Sequence, residues 1–249
     1  FTILKKENII LKNCELSFPD GRGGIIVFSN VNLDGKFKND KHQIKLNAIF
    51  SNNKIKIKFL NYLKGKKYFK VKIPNADASL DIIFNKGSNL KTLSGQLKLN
   101  LIKSILLLNF EDFEGKRDFL ISNSFFRDDF INSKIDGKIL FKDDFSFDLN
   151  LAINQIYLRK FLLYYFSQEQ NKPPVISTLS KKINGKIKIY NKSSGSFIGK
   201  INDSKMLILL ENGDLKIENG SVNLGKDSNI NFNVSFEEGN ADPKLLFSI

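Results

Sequence analysis

From Phe145 to Ile153 the chain reads Phe-Ser-Phe-Asp-Leu-Asn-Leu-Ala-Ile, with an apolar side chain at every second position. Side chains along a β-strand alternate between two faces, so this run predicts a strand with one oily face and one wet face. The same rhythm recurs along most of the chain. Val27, Ser29, Val31, Leu33, Gly35 and Phe37 share one parity. Ile44, Leu46, Ala48 and Phe50 form the next run, and Asn52-Asn53 is expected to turn it into Ile55, Ile57 and Phe59 as a hairpin, since Asn tolerates positive φ. Phe69, Val71 and Ile73 stop at Pro74. Ala78, Leu80, Ile82 and Phe84 lead to a turn at Lys86-Gly87-Ser88-Asn89, and Leu93, Gly95, Leu97, Leu99 and Leu101 follow.

Between 102 and 132 the pattern is less regular. Ile105–Leu108 and Asp118–Asn123 read as short buried strands or a bend. Ile135, Gly137, Ile139 and Phe141 restore the alternation. Residues 156–168 break it. Leu158, Leu162 and Tyr165, with Phe161 and Phe166, have helical spacing, and a polar tail and Pro173-Pro174 end the segment. The spacing predicts a short helix that either plugs one end of a sheet or lies on a membrane surface, and its few charges and broad apolar face favour the plug. Beyond it Ile183, Gly185, Ile187 and Ile189 are expected to pair with Phe197, Gly199 and Ile201 across Lys192–Gly195. Leu215 and Ile217, Val222 and Leu224, and Ile230, Phe232, Val234 and Phe236 complete the set, with turns at Asn212-Gly213, Asn219-Gly220 and Gly239-Asn240.

A short motif recurs on the apolar parity: Leu33-Asp-Gly35-Lys-Phe37, Leu93-Ser-Gly95-Gln-Leu97, Ile135-Asp-Gly137-Lys-Ile139 and Ile183-Asn-Gly185-Lys-Ile187. Glycine on an apolar strand face leaves a notch or permits a bend. The copies are unequally spaced, which argues against a strict solenoid of one fixed period.

Composition sharpens this picture. The chain has 249 residues, 23 Phe, 6 Tyr and no Trp, with a formal net charge of +13. Phe lacks a polar handle, so it suits a dry interior or a lipid better than a wet interface. The lysines fall at outward strand positions, as in Ile55-Lys-Ile57-Lys-Phe59, where they blunt edges and keep sheets soluble. Nucleic acid is not expected as a partner, because the aromatic residues mostly share the aliphatic face while the lysines take the other. No run is long enough to be a membrane helix. The chain begins at Phe1 rather than Met and ends inside the strand-like Leu245–Ile249, so both ends read as cut, with room for a signal peptide or anchor upstream.

Chemistry is sparse. His42 is the only histidine and is read as solvated, one residue outside the apolar parity of its strand. Cys14 is the only cysteine; it falls in step with Ile10, Leu16 and Phe18 and is read as a buried small hydrophobe. Glu111-Asp112-Phe113-Glu114, Asp128-Asp129 and Asp143-Asp144 are the acidic groupings, each at an expected turn and none with calcium-loop spacing. Gly21–Gly24 lacks the Lys-Ser/Thr of a phosphate loop. The reading is therefore no enzyme, no metal and no cofactor.

Several segments resemble the AsmA-like family of bridge-like envelope lipid transport proteins. Glu7–Phe18 leading into Ile25–Leu33 is similar to that family's opening strands, and Phe145–Leu162 to its strand-into-helix element. Ile183-Asn-Gly185, Gly213–Ile217, Gly220-Ser-Val222 and Pro243–Phe247 resemble its C-terminal repeat. The resemblance implies a mainly β fold, a long antiparallel sheet curved into an open hydrophobic groove. It divides into an N-terminal groove segment (1–154), a helix and linker (155–175) and a C-terminal β repeat (176–249). It further implies a periplasmic protein anchored in the inner membrane of a Gram-negative-type bacterium by a segment absent from this chain. Envelope protein partners and the conduction of phospholipid acyl chains between membranes are also implied. The expected lining is Val31 and Leu33, Ile44 and Leu46, Ile55 and Ile57, Phe69 and Val71, Leu80 and Ile82, then Leu97 and Leu99. It continues through Ile139 and Phe141, Phe145, Phe147, Leu149 and Leu151, Ile187 and Ile189, and finally Ile230, Phe232 and Val234. Two rival readings remain: a closed β-sandwich serving as a structural or adhesive envelope module, and an acidic polymer bound by the lysine face.

Overall fold

A computed structural model describes residues 8–19, 25–50, 52–63, 65–86, 93–113, 118–141, 145–156, 183–191, 194–196, 199–201, 203–211, 214–225, 228–237 and 244–248. The strands in order are β1 (Asn8–Pro19), β2 (Ile25–Phe37), β3 (Lys41–Phe50), β4 (Asn53–Tyr62), β5 (Lys67–Ile73), β6 (Ala78–Lys86), β7 (Leu93–Leu101), β8 (Ser104–Phe113) and β9 (Asp118–Arg127). They continue with β10 (Ile131–Phe141), β11 (Phe145–Ile156), β12 (Ile183–Asn191), β13 (Ser194–Ser196), β14 (Gly199–Ile201), β15 (Ser204–Glu211), β16 (Asp214–Gly225), β17 (Ser228–Glu237) and β18 (Lys244–Ser248). All but β13 and β14 form one 16-stranded sheet whose neighbours follow chain order. The protein is mainly β, as its alternation implies, and the described residues contain no α-helix. The helix expected over 156–168 lies outside the described residues, except that Ile156 closes β11.

Hairpins of neighbouring strands make the sheet almost wholly antiparallel. The Asn52-Asn53 turn forms as expected: Phe50 pairs with Asn53, and Asn52 has φ 62°. Pro74 ends β5 and opens a 3₁₀ turn, Pro74–Ala76, because proline has no N–H to continue a ladder. At the β9–β10 turn Asp128 Oδ1 accepts from the N–H groups of Phe130 and Ile131, both at 2.6 Å.

Four expectations need correction. β11 and β12 are parallel, with Phe145 beside Ile183 and Ile153 beside Asn191, so the sheet is not uniformly antiparallel. Parallel neighbours need a long crossover, and residues 157–182 supply its length. β12 pairs with β15 on its other side rather than with Phe197–Ile201; β13 and β14 instead form a separate two-stranded sheet that contacts β11 and β16. β15 was missed altogether, because Leu207-Ile208-Leu209-Leu210 is a continuous apolar run rather than an alternating one. The two strands expected in the less regular stretch are present but longer than expected, β8 and β9, and Glu111-Asp112 lies inside β8 rather than at a turn.

The Asn219-Gly220 turn is also absent, since β16 passes straight through it. What happens there is a bulge. Ile217 faces Val234 and Gly220 faces Phe232, so two residues oppose one, and Asn219 sits at φ 53°. The same device stands at Asn13 (φ 51°), Asn30 (φ 50°) and Asn123 (φ 47°), each at a register shift. A bulge moves every later side chain to the other face. This overturns two parities read from the sequence. Phe28, not Val27 or Ser29, shares the face of Val31, and it stacks on Phe50 at 5.1 Å. Leu11, not Ile10, is in step with Cys14, while Ile10 pairs with Asp34 and is 63% exposed.

The chain divides into two compact units, Phe1–Asn109 and Phe110–Ile249. Among the described residues the buried apolar side chains are Val31, Ala48 and Ile55 in the first and Ile121 and Ile135 in the second.

Candidate functional site

Register converts the alternation into two-dimensional surfaces. In the first unit Leu11, Leu33, Leu46, Ile57, Val71, Leu80 and Leu99 are directly opposed in series from β1 to β7. A parallel row runs Ile9, Gly35, Ile44, Phe59, Phe69, Ile82 and Leu97. Directly opposed residues share a face, so these rows are one continuous apolar face. In the second unit Ile121, Gly137, Leu149, Ile187, Ile208, Ile217 and Val234 form a row from β9 to β17. Phe119, Ile139, Phe147, Gly185, Leu210 and Leu215 lie beside it.

Every residue expected to line the apolar face has a described place. Val31 and Ile55 are buried, Phe141, Phe145 and Ile230 are exposed, and the others are half-buried. The half-burial has a simple cause. A side chain on a sheet is covered by its cross-strand and i±2 neighbours, and full burial needs a second layer. Among the described residues the only other sheet is the small β13–β14 pair. Sequence reasoning missed Leu11, Phe28, Phe119, Ile121, Met206, Ile208 and Leu210 on these faces. For Phe28 and Leu11 the available signal was an apolar spacing of three with Asn before the second member, Phe28 to Val31 across Asn30 and Leu11 to Cys14 across Asn13.

Phenylalanine is concentrated at one place in the second unit. Phe110, Phe119, Phe141, Phe145 and Phe147 form an unbroken chain of ring contacts, with centroid separations of 5.5, 5.6, 5.2 and 6.1 Å. Phe141 is 46% exposed and Phe145 37% exposed. The glycine notches are not open. A Cβ built at Gly185 would stand 2.6 Å from the Phe147 ring, and one at Gly220 would stand 2.7 Å from the Phe232 ring. Phe84 likewise pairs across strands with Gly95. An aromatic ring laid over a glycine covers its backbone and spreads apolar area along the face.

In the first unit the apolar face ends at a polar row. Phe37, His42, Asn61, Lys67 and Phe84 are opposed in series. His42 is therefore in step with Ile44, not outside the parity, and its ring lies 5.4 Å from that of Phe37. Asn61 Oδ1 is buried there without a hydrogen-bond partner. Cys14, read as buried, is half-exposed and donates weakly to the carbonyl of Lys12 at 3.4 Å.

The other face of the first unit is cationic. Lys45 opposes Lys58, Lys58 opposes Lys70, and Lys56 opposes Lys72. Lys70 is held by Asp81 at 2.6 Å. In the second unit Asp148 stands between Lys186 at 3.4 Å and Lys188 at 3.6 Å. Among the described residues no group of His, Cys, Asp and Glu could hold a metal ion, and no helix is long and apolar enough to cross a membrane.

The fold and its faces define a class: an open, largely antiparallel sheet with an apolar and a polar face. No protein-family model, curated protein or solved structure matches the chain.

Proposed function

We propose that the apolar face binds phospholipid acyl chains and conducts them along the sheet, within the periplasm of a Gram-negative-type envelope. The observation that carries this reading is the run of half-buried Leu, Ile, Val and Phe rows across consecutive strands of each unit. Soluble proteins seldom leave contiguous apolar area of this kind to water. Each methylene of a bound chain removed from water contributes about 0.8 kcal/mol. Side chains without polar groups fix no position along such a chain, so it can slide. The row His42, Asn61 and Lys67 at the border of the face gives a headgroup phosphate a cation and hydrogen-bonding partners. The resemblance to AsmA-like proteins supports the same reading and a curved, groove-like shape. It also supports an inner-membrane anchor on a segment outside this chain and envelope protein partners. No catalytic step and no nucleic acid belong to it.

Photo-crosslinking amino acids at Leu97, Phe147 and Phe232 test the proposal, with Lys98 and Asp148 as controls on the opposite face. Labelled phospholipid recovered from the first three sites and not from the controls is the expected result. Equal labelling of both sets would sink the reading.

A further inference from the structure

We propose that the lysine-bearing face of the first unit docks on an anionic lipid bilayer, independently of what the apolar face carries. Lys45, Lys58 and Lys70 stand in a cross-strand row that continues through Asp81 to Lys98. Lys56 and Lys72 form a second pair one step along the strands. Strands lie about 4.8 Å apart and same-face residues about 6.7 Å apart along each strand, so these ammonium groups sample a two-dimensional grid. Like charges placed directly opposite one another destabilise a sheet. Two acids stand in the same row: Asp34 opposes Lys45 and pairs with Lys36 at 3.8 Å, and Asp81 lies between Lys98 and Lys70, pairing with Lys70 at 2.6 Å, so the row keeps a cationic excess. Lys45, Lys56, Lys58, Lys72 and Lys98 are exposed and have no ion pair among the described residues.

The features beside the grid select a bilayer over a linear polyanion. On the same face, Tyr62 and Tyr68 meet edge to face at 6.2 Å, and Lys41 Nζ covers the Tyr62 ring at 5.2 Å. Lys41 covers one face of Tyr62 and the two rings stand at 80° to one another, so they do not present a row of open parallel faces on which successive bases stack. Tyr62 is 39% exposed, and Leu63, in the following turn, is 44% exposed. Tyrosine with an exposed leucine beside lysines is the composition of an interfacial contact, the apolar tip entering the headgroup region while the ammonium groups meet phosphate. Charge complementarity then supplies most of the attraction, because each lysine held close to an anionic surface gains from its negative potential.

The test is co-sedimentation of the whole chain with vesicles of phosphatidylcholine doped with phosphatidylglycerol, against phosphatidylcholine alone, at low and high salt. Binding to the doped vesicles only, weakening with salt, is expected. The Lys45→Gln/Lys58→Gln/Lys72→Gln variant should lose roughly tenfold to a hundredfold in affinity. A matched Lys134→Gln/Lys188→Gln/Lys205→Gln variant in the second unit should lose far less, and Leu63→Ser should weaken binding without removing its salt dependence. Removing grid lysines relieves repulsion, so folding is not at risk, and circular dichroism checks it. Equal binding to phosphatidylcholine alone, equal loss in the two triple variants, or tighter binding of a single-stranded oligonucleotide than of doped vesicles would each overturn the proposal. Retained acyl crosslinking at Leu97 in the grid variant would separate this outcome from failure of the acyl-binding reading.

Discussion

Asn13 and Asn219 hold their bulges in the same way. Each sits at positive φ, and each N–H is accepted by the Oδ1 of an asparagine on the next strand, Asn32 at 3.3 Å and Asn233 at 2.9 Å. Asn enters this left-handed region at lower cost than most residues. Asn219→Ala should therefore destabilise the protein by about 1 kcal/mol, and Asn219→Gly by less; urea unfolding reads the difference. The glycine notches give a second prediction. Gly185→Ala should cost roughly 1–3 kcal/mol, since the Phe147 ring fills the space that the methyl group needs. Adding Phe147→Leu should return part of that loss, and a double-mutant cycle measures the coupling. Gly137 is more constrained, because its φ of 141° is rarely adopted by residues with a side chain and a Cβ there would collide with the Asp148 carbonyl. Gly137→Ala should therefore be worse than Gly185→Ala in the same assay.

At the scale of elements, the lysine ladder and the buried positions respond oppositely to substitution. Lys58 lies between Lys45 and Lys70 on adjacent strands. Lys58→Thr should raise stability by about 0.2–1 kcal/mol through relief of repulsion and better strand propensity. The repulsive part should vanish at high salt, which thermal melts at two ionic strengths distinguish. Ile121 in β9 is 2% exposed and opposes Gly137, so its side chain covers a glycine as well as its own strand. Ile121→Ala should cost about 2–5 kcal/mol, whereas truncating the 46% exposed Phe141 should cost less.

For the molecule as a whole, the apolar faces predict a ligand-dependent stability. A ligand that binds only the folded state raises the melting temperature with its concentration. Phospholipid below its aggregation limit should therefore stabilise the chain, and Leu149→Asp in the middle of the second unit's apolar row should abolish that increment. A melting temperature indifferent to lipid would count against acyl binding.

Much of this architecture was legible because a strand's parity is local. Alternation at Ile55–Phe59 or Phe145–Ile153 needs only the chain's own stereochemistry to sort oily from wet side chains. So strand content, the Phe50–Asn53 hairpin, the outward lysines and the apolar character of one face could be read before any contact was known. Register, pairing partner and bulge position are different, because each depends on hydrogen bonds between distant segments. The parallel seating of β12 on β11, the small β13–β14 sheet and the alignment of Leu33 with Leu46, Ile57 and Val71 follow from those bonds. The parity flips at Asn13 and Asn30 arise where two residues share one partner, a relation absent from either strand alone. Local alternation thus settles which side chains share a face within an unbroken stretch of strand; long-range pairing decides where a bulge reverses it, that His42 meets Phe37 and that seven strands of leucine, isoleucine and valine join into one surface.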